Sequence, residues 1–241
     1  MAKFESLLGK ITFVIGVAMT LFHIVALVFY PLPASVFRTI HLMFVLLLIF
    51  LRMPKPGEWK GAFLGNAVFI ILSIAAVGYA FFELENILTR GGIWTTNTDI
   101  VLGFVAILVV LEAARRSNGL ALPLIAVFFI LYALFGNHIP GMLGHKGYSI
   151  KRIITTLYTY EGIFGTALAT AATFVSMFII FGEVLDTTGA GNVFLELSKS
   201  LAGGLRGGPA KIGVIACALF GTISGSAVAC VAATGAIIVP L

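Results

Sequence analysis

The sequence predicts an all-α, polytopic membrane protein, and three observations carry that prediction. Hydrophobic residues make up 60% of the 241 residues and charged residues only 10%, whereas a soluble domain carries roughly 25% charged residues; the mean hydropathy is +1.10. Apolar runs recur at the length a helix needs to cross a bilayer, about 20 residues. The runs are separated by short stretches rich in Pro, Gly and charge, which punctuate helices.

Taken in order, the predicted spans cover residues 11–30, closed by Pro31 and Pro33; 36–51, closed by "RMPKPGEWKG"; 61–82; 99–112; 120–135; and 164–185. A seventh apolar zone begins near Pro209 and runs to Leu241. The first run follows Lys3 and Lys10, but it is longer than the roughly 7–15 apolar residues of a signal peptide. "PASV" is also a poor cleavage site, so the run is expected to be retained as a span.

Lys and Arg in short loops set orientation. With the N-terminus in the cytoplasm, ten basic residues lie inside (Lys3, Lys10, Arg52, Lys55, Lys60, Arg115, Arg116, Lys199, Arg206, Lys211) and five outside (Arg38, Arg90, Lys146, Lys151, Arg152). The cluster at 146–152 runs against this assignment. It is accommodated if "YSIKRIITTLYTYEGIFG" lies along the interface as an amphipathic helix, with Tyr148, Tyr158 and Tyr160 at headgroup level. A second interfacial helix is predicted in "GNVFLELSKSLAGGLRGG", with Val193, Phe194, Leu197 and Leu201 opposite Glu196, Lys199 and Ser200. The net charge of +5 is loop bias; no Lys/Arg stripe interleaved with aromatics points to nucleic acid.

The zone from Gly213 to Ala236 is unusual: 17 of its 24 residues are Gly, Ala, Ser, Thr or Cys. Small residues let membrane helices approach closely, so one straight, tightly packed helix is one reading. The other is a re-entrant hairpin, with arms at 209–220 and 227–239 and "TISGS" at its tip. Arms of 12 or 13 residues are too short for the ~30 Å hydrocarbon core. Broken backbone is tolerated at membrane depth only where protein or a water-filled cavity satisfies it. In transporters such a break binds ions: half-helix N-termini attract anions, while freed carbonyls hold a coupling cation. Ser224 and Ser226 would supply hydroxyls, and the Ser224 and Gly225 carbonyls are candidate cation ligands.

The runs "EGIFG", "TGAG" and "GGPAKIGVIACALFGTISGSAVACVAATG" resemble the membrane component of the TRAP transporters, in the TAXI-type fused permease. The resemblance covers nearly the whole chain. It implies a four-helix, small-subunit-like scaffold over 1–117 and, over 118–241, the beginning of a large-subunit-like, elevator-type transport domain. It also implies a hairpin tip contributing to the site at Thr222, Ser224, Gly225 and Ser226. Family members commonly carry Asn where Cys230 stands, which removes an amide dipole from the second arm. The family's transport domain continues into a second, inverted repeat with its own hairpin, so the chain is expected to be the N-terminal portion of a longer transporter. The implied function is import of organic anions, delivered by an extracytoplasmic solute-binding protein, across the bacterial or archaeal cytoplasmic (inner) membrane. Coupling would be to Na⁺ or H⁺, with no cofactor. The alternative is a non-transporting scaffold, or a fragment that needs a second polypeptide.

Other polar residues were weighed against structural roles. Glu161, beside "YTY", is a candidate for coupling or gating, or a cap near a helix start; Glu183 is a candidate because an acid in a membrane segment is functional by default, though with Asp186 it precedes a glycine turn. Glu112, Arg115 and Arg116 read as a solvated helix end, Asp99 as a helix N-terminal charge, and His23 and His41 as polar packing between adjacent spans. Cys217 and Cys230 read as small buried hydrophobes. Neither Cys nor His spacing suggests a metal site, beyond a Na⁺ at the hairpin tip. An intramembrane enzyme is the least supported class: there is no H-E-x-x-H, no G-x-S-x-G and no His near Ser224 in sequence, and no nucleotide-binding G-x-x-x-x-G-K-[ST]. The chain produced by the native organism is expected to have an intact mass well above 25.6 kDa, with a second Gly/Ser hairpin after Leu241; a native chain ending at Leu241 would require a second polypeptide or leave a scaffold that transports nothing.

Overall fold

The computed structural model describes residues 2–51, 59–90, 95–204 and 206–224. Among the described residues there are helices and turns but no strands. The helices are α1 (Ala2–Ile24, extended by a π-helical turn Val25–Phe29), α2 (Ala34–Leu51), α3 (Trp59–Thr89), α4 (Asn97–Asn118) and α5 (Ala121–Phe135, ending in a 3₁₀ turn Gly136–His138). They continue with α6 (Ile150–Leu157), α7 (Thr166–Thr170, running through a π-helical stretch Ala171–Val175), α8 (Ser176–Thr187), α9 (Ala190–Ala202) and α10 (Gly208–Ser224). Among the described residues, six stretches are long and apolar enough to cross a membrane: Leu7–Phe29, Ala34–Leu51, Gly65–Thr89, Asn97–Asn118, Ala121–His138 and Thr166–Leu185. The protein is an all-α, multi-pass membrane protein. By packing, the chain divides into two compact units, Met1–Ala172 and Thr173–Leu241.

Local chemistry explains most helix ends. The π turn after α1 closes with the Tyr30 N–H donating to the Val25 carbonyl at 2.8 Å, just before Pro31 and Pro33, which disfavour helical backbone in the residues before them. Helix α4 starts with a reciprocal capping box. The Asp99 N–H donates to Thr96 Oγ1 (3.2 Å) and the Thr96 N–H to Asp99 Oδ2 (2.9 Å), satisfying donors that have no partner within the helix. Helix α8 gives way to α9 at Gly189, whose φ of +85° only glycine adopts without strain.

In the first unit, the core gathers Leu46 and Phe50 of α2, Ala76, Val77, Ala80 and Leu84 of α3, and Ala106 and Val109 of α4. Small residues on α3 let its neighbours come close. Helix α6 closes over this core at Gly103, where an added Cβ would lie 2.9 Å from Ile154 Cγ2 and 3.3 Å from Tyr158 Cβ. Tyr158 is fully buried and its hydroxyl donates to the Ala76 carbonyl. Burial raises the pKa of this phenol above its ordinary value, so the group stays a neutral donor.

Two expectations are corrected. The segment 148–165 is not one interfacial helix: only Ile150–Leu157 is helical, and Tyr158 is buried beside Phe164 rather than at headgroup level. Tyr148 does stay exposed, and Tyr160 lies under the Arg38 guanidinium, 5.0 Å from its ring centroid. The fourth span does not end at Glu112. Glu112 pairs with Arg115 and Arg116 at 2.7 Å one turn on, so the charges continue the helix to Asn118; Arg116 also stacks over Phe50 and Phe69. In the second unit, α9 buries Leu195, Ser198 and Ala202, while Val193, Leu197 and Leu201 face outward. The outward apolar side chains are those expected on the lipid-facing side of an interfacial helix.

Gly103→Leu is expected to lower stability by about 1–3 kcal/mol through overpacking, and Tyr158→Phe by about 1 kcal/mol through loss of one buried hydrogen bond. Thermal unfolding of the detergent-purified chain measures both. A Gly103→Leu protein as stable as the parent would mean that α4 and α6 do not touch.

Candidate functional site

Helix α10 carries the first arm of the expected hairpin. Pro209 sits in its first turn, where the missing N–H costs no intrahelical bond. The arm was expected to stop at 220, but the helix continues to Ser224, since Gly221 alone does not end a helix that has no Pro before Gly225. Thr222 is therefore on the last turn of α10, exposed, with its hydroxyl donating to the Leu219 carbonyl at 2.6 Å. That bond uses the proton and leaves the oxygen able to accept. Ser224 is the last residue of the helix. Gly225, Ser226, the second arm at 227–239 and Cys230 lie outside the described residues. The described part of α10 covers 17 residues, about 26 Å.

The two candidate carboxylates belong to different units. Glu161 is exposed in the turn after α6, where its backbone N–H donates to Thr159 Oγ1 at 3.3 Å. It caps no helix: α7 begins at Gly165 without a side-chain cap. Glu183 is exposed on α8. Among the described residues neither carboxylate has an ion-pair partner within 4.0 Å. Also among the described residues, no three His, Cys, Asp or Glu side chains come together to hold a metal ion.

Two buried polar clusters were not paired by sequence reasoning. Asp99 is completely buried, and its carboxylate accepts from the Tyr79 hydroxyl (2.7 Å), Arg90 Nη1 (3.0 Å) and the Thr96 N–H (2.9 Å). Arg90 in turn pairs with Glu83. This carboxylate is saturated, which makes it structural. The second cluster joins α1 to α2. His23 Nδ1 lies 2.7 Å from the Met19 carbonyl, and His23 Nε2 lies 2.8 Å from His41 Nδ1. A carbonyl only accepts, so in the neutral pair His23 carries its proton on Nδ1 and accepts at Nε2 from His41 Nδ1–H. The signal available beforehand was two histidines in neighbouring spans; which nitrogens meet depends on helix rotation, which 18 residues of separation do not encode.

The comparisons bear on the second half of the chain. The family described as the tripartite ATP-independent periplasmic transporter, DctM component, matches residues 105–241. The uncharacterized protein YgiK of Salmonella typhimurium is 40% identical over 67 residues, 28% of this chain and 15% of that protein. The C4-dicarboxylate TRAP transporter large permease protein DctM of Rhodobacter capsulatus is 38% identical over 66 residues, 27% of this chain and 15% of that protein. The chain thus spans about 15% of the length of these curated relatives. No solved structure matches.

Asp99→Ala should cost about 3–5 kcal/mol, because it leaves Arg90 and the Tyr79 hydroxyl without their partner; Asp99→Asn, which keeps an acceptor for the cap, should cost less. Chemical unfolding in detergent reads the difference, and equal stability of all three proteins would show that the carboxylate contributes nothing.

Proposed function

Because the chain belongs to the DctM family of tripartite ATP-independent periplasmic transporters, we propose that it forms part of a cation-coupled permease importing organic anions. The carrying observation is that the family match runs through α10 to Leu241 and so includes the hairpin zone. Membership is of a transporter family, not of an enzyme class. The printed name of the Rhodobacter capsulatus relative, a C4-dicarboxylate permease, supports small carboxylates as the anion class. A solute-binding protein would deliver them on the outer face, in a cytoplasmic (inner) membrane with the N-terminus inside.

In this reading the protein is a TAXI-type fused permease. Residues 1–117 form the fixed scaffold and residues 118–241 begin the moving, elevator-type transport domain. The site sits at the hairpin tip. The C-terminal carbonyls of α10 and the hydroxyls of Thr222, Ser224 and Ser226 would hold Na⁺, with Gly225 allowing the backbone to turn. The N-terminus of the second arm would face the anion, so that substrate and cation neutralise one another. Hydroxyls and carbonyls favour Na⁺; proton coupling would instead use a titratable group, for which Glu161 and Glu183 are the candidates.

In a complete transporter, Thr222→Val, Ser224→Ala and Ser226→Ala are each expected to reduce cation-dependent uptake about tenfold or more, the equivalent of one lost bond to a charged group, while expression and membrane insertion stay normal. Uptake that keeps its rate and its cation dependence in all three variants would remove the tip from the site. No uptake by the parent chain with any binding protein would favour a scaffold role.

A further inference from the structure

A cavity of ≈ 560 Å³ lies between α5 and α6, lined wholly by residues of the first unit. Its apolar wall comes from Phe129, Ile130 and Ala133 of α5 and from Ile153 and Leu157 of α6. Helix α5 is one of the six spans, so this wall stands in the hydrocarbon zone. Two charged groups line the same space, Arg152 and Glu161. The Arg152 guanidinium packs 5.2 Å from the ring centroid of Tyr148, an exposed aromatic at the mouth of the cavity. Among the described residues no carboxylate pairs with Arg152 and no cation pairs with Glu161. Arg38, Arg90, Arg115 and Arg116, by contrast, are engaged within the protein.

One unpaired cation and one unpaired anion in a single apolar cavity call for an amphipathic zwitterion. The volume falls in the ordinary range for a small-molecule site, about 300–1,000 Å³. Tyr148 and the neighbouring Lys146 and Lys151 mark the headgroup level, where aromatic and basic residues collect.

We propose that this cavity binds a phospholipid with a primary-amine headgroup, its acyl chain along α5 and α6, its phosphate on Arg152 and its ammonium on Glu161. A guanidinium offers paired N–H donors to phosphate oxygens. A carboxylate accepts N–H hydrogen bonds from a primary ammonium but receives none from a quaternary one, so ethanolamine is preferred over choline at equal charge. Glycerol headgroups leave Glu161 unpaired beside a net negative lipid. With Glu161 engaged by lipid, Glu183 is left as the titratable carboxylate for coupling. The assignment does not depend on transport and is read without it.

The test is native mass spectrometry of the full chain, delipidated in detergent and offered equimolar palmitoyl-oleoyl phosphatidylethanolamine, phosphatidylcholine and phosphatidylglycerol. The ethanolamine lipid should be retained at least about fivefold over the other two. Arg152→Gln should lower total phospholipid retention by a similar factor, Glu161→Gln should abolish the ranking of headgroups while retaining lipid, and Lys151→Gln, outside the cavity, should change neither. Equal retention of the three lipids by the parent chain overturns the proposal without recourse to any variant. So does a loss in Lys151→Gln matching that in Arg152→Gln, which would mean diffuse surface attraction. Retention of no lipid by the full chain would show the cavity filled by protein and overturns it equally.

Discussion

The hydrogen bond from the Tyr158 hydroxyl to the Ala76 carbonyl sits at the centre of the first unit's packing. It crosses 82 residues of sequence and reaches the backbone of a helix that spans the membrane. Around it four helices converge. The ring lies against Gly103 of α4, Phe164 meets it edge-on at 5.9 Å, and the Phe164 carbonyl accepts from Arg38 of α2 at 2.8 Å. In a medium without water every polar group must find a partner inside the protein. One phenol on a short amphipathic helix therefore fixes the position of the turn that carries Glu161.

Spans were legible because length and apolarity are dictated by the bilayer itself. Among the described residues, all six starts were placed within four residues, while the third and fourth ends lie seven and six residues further on. Errors came where a local pair altered the meaning of a residue. The fourth span was drawn to end at Glu112, whereas pairing with Arg115 and Arg116 lets the helix run on to Asn118; the three do form the charged helix end that was expected. Tyr158 looked interfacial because an aromatic beside basic residues has the same composition whether it faces headgroups or a core. On α9, by contrast, the exposed Val193, Leu197 and Leu201 form the apolar stripe expected of an interfacial helix.

The candidate site was legible as residue types and less so as geometry. Hydroxyls and glycine in an otherwise apolar zone are conspicuous, and Thr222 lies in the last described turn of α10. How far the helix ran could not be read, because Gly221 and Thr222 are compatible with helix and with turn alike. The histidine pair marks the same boundary: the sequence placed both rings in neighbouring spans, and only packing decided that they meet nitrogen to nitrogen.

The saturated carboxylate of Asp99 bears on biogenesis. A lone acid near the start of a segment entering the bilayer raises the cost of insertion, by about 2.5–3.5 kcal/mol at the centre of a helix and less toward its ends. Tyr79 and Arg90 precede Asp99 in the chain, so during synthesis both partners emerge from the ribosome before the acid does. Helix α4 thus enters the membrane with its neutralising partners already present on α3 and in the turn after it, and the two helices are suited to leave the translocon as a hairpin instead of one by one.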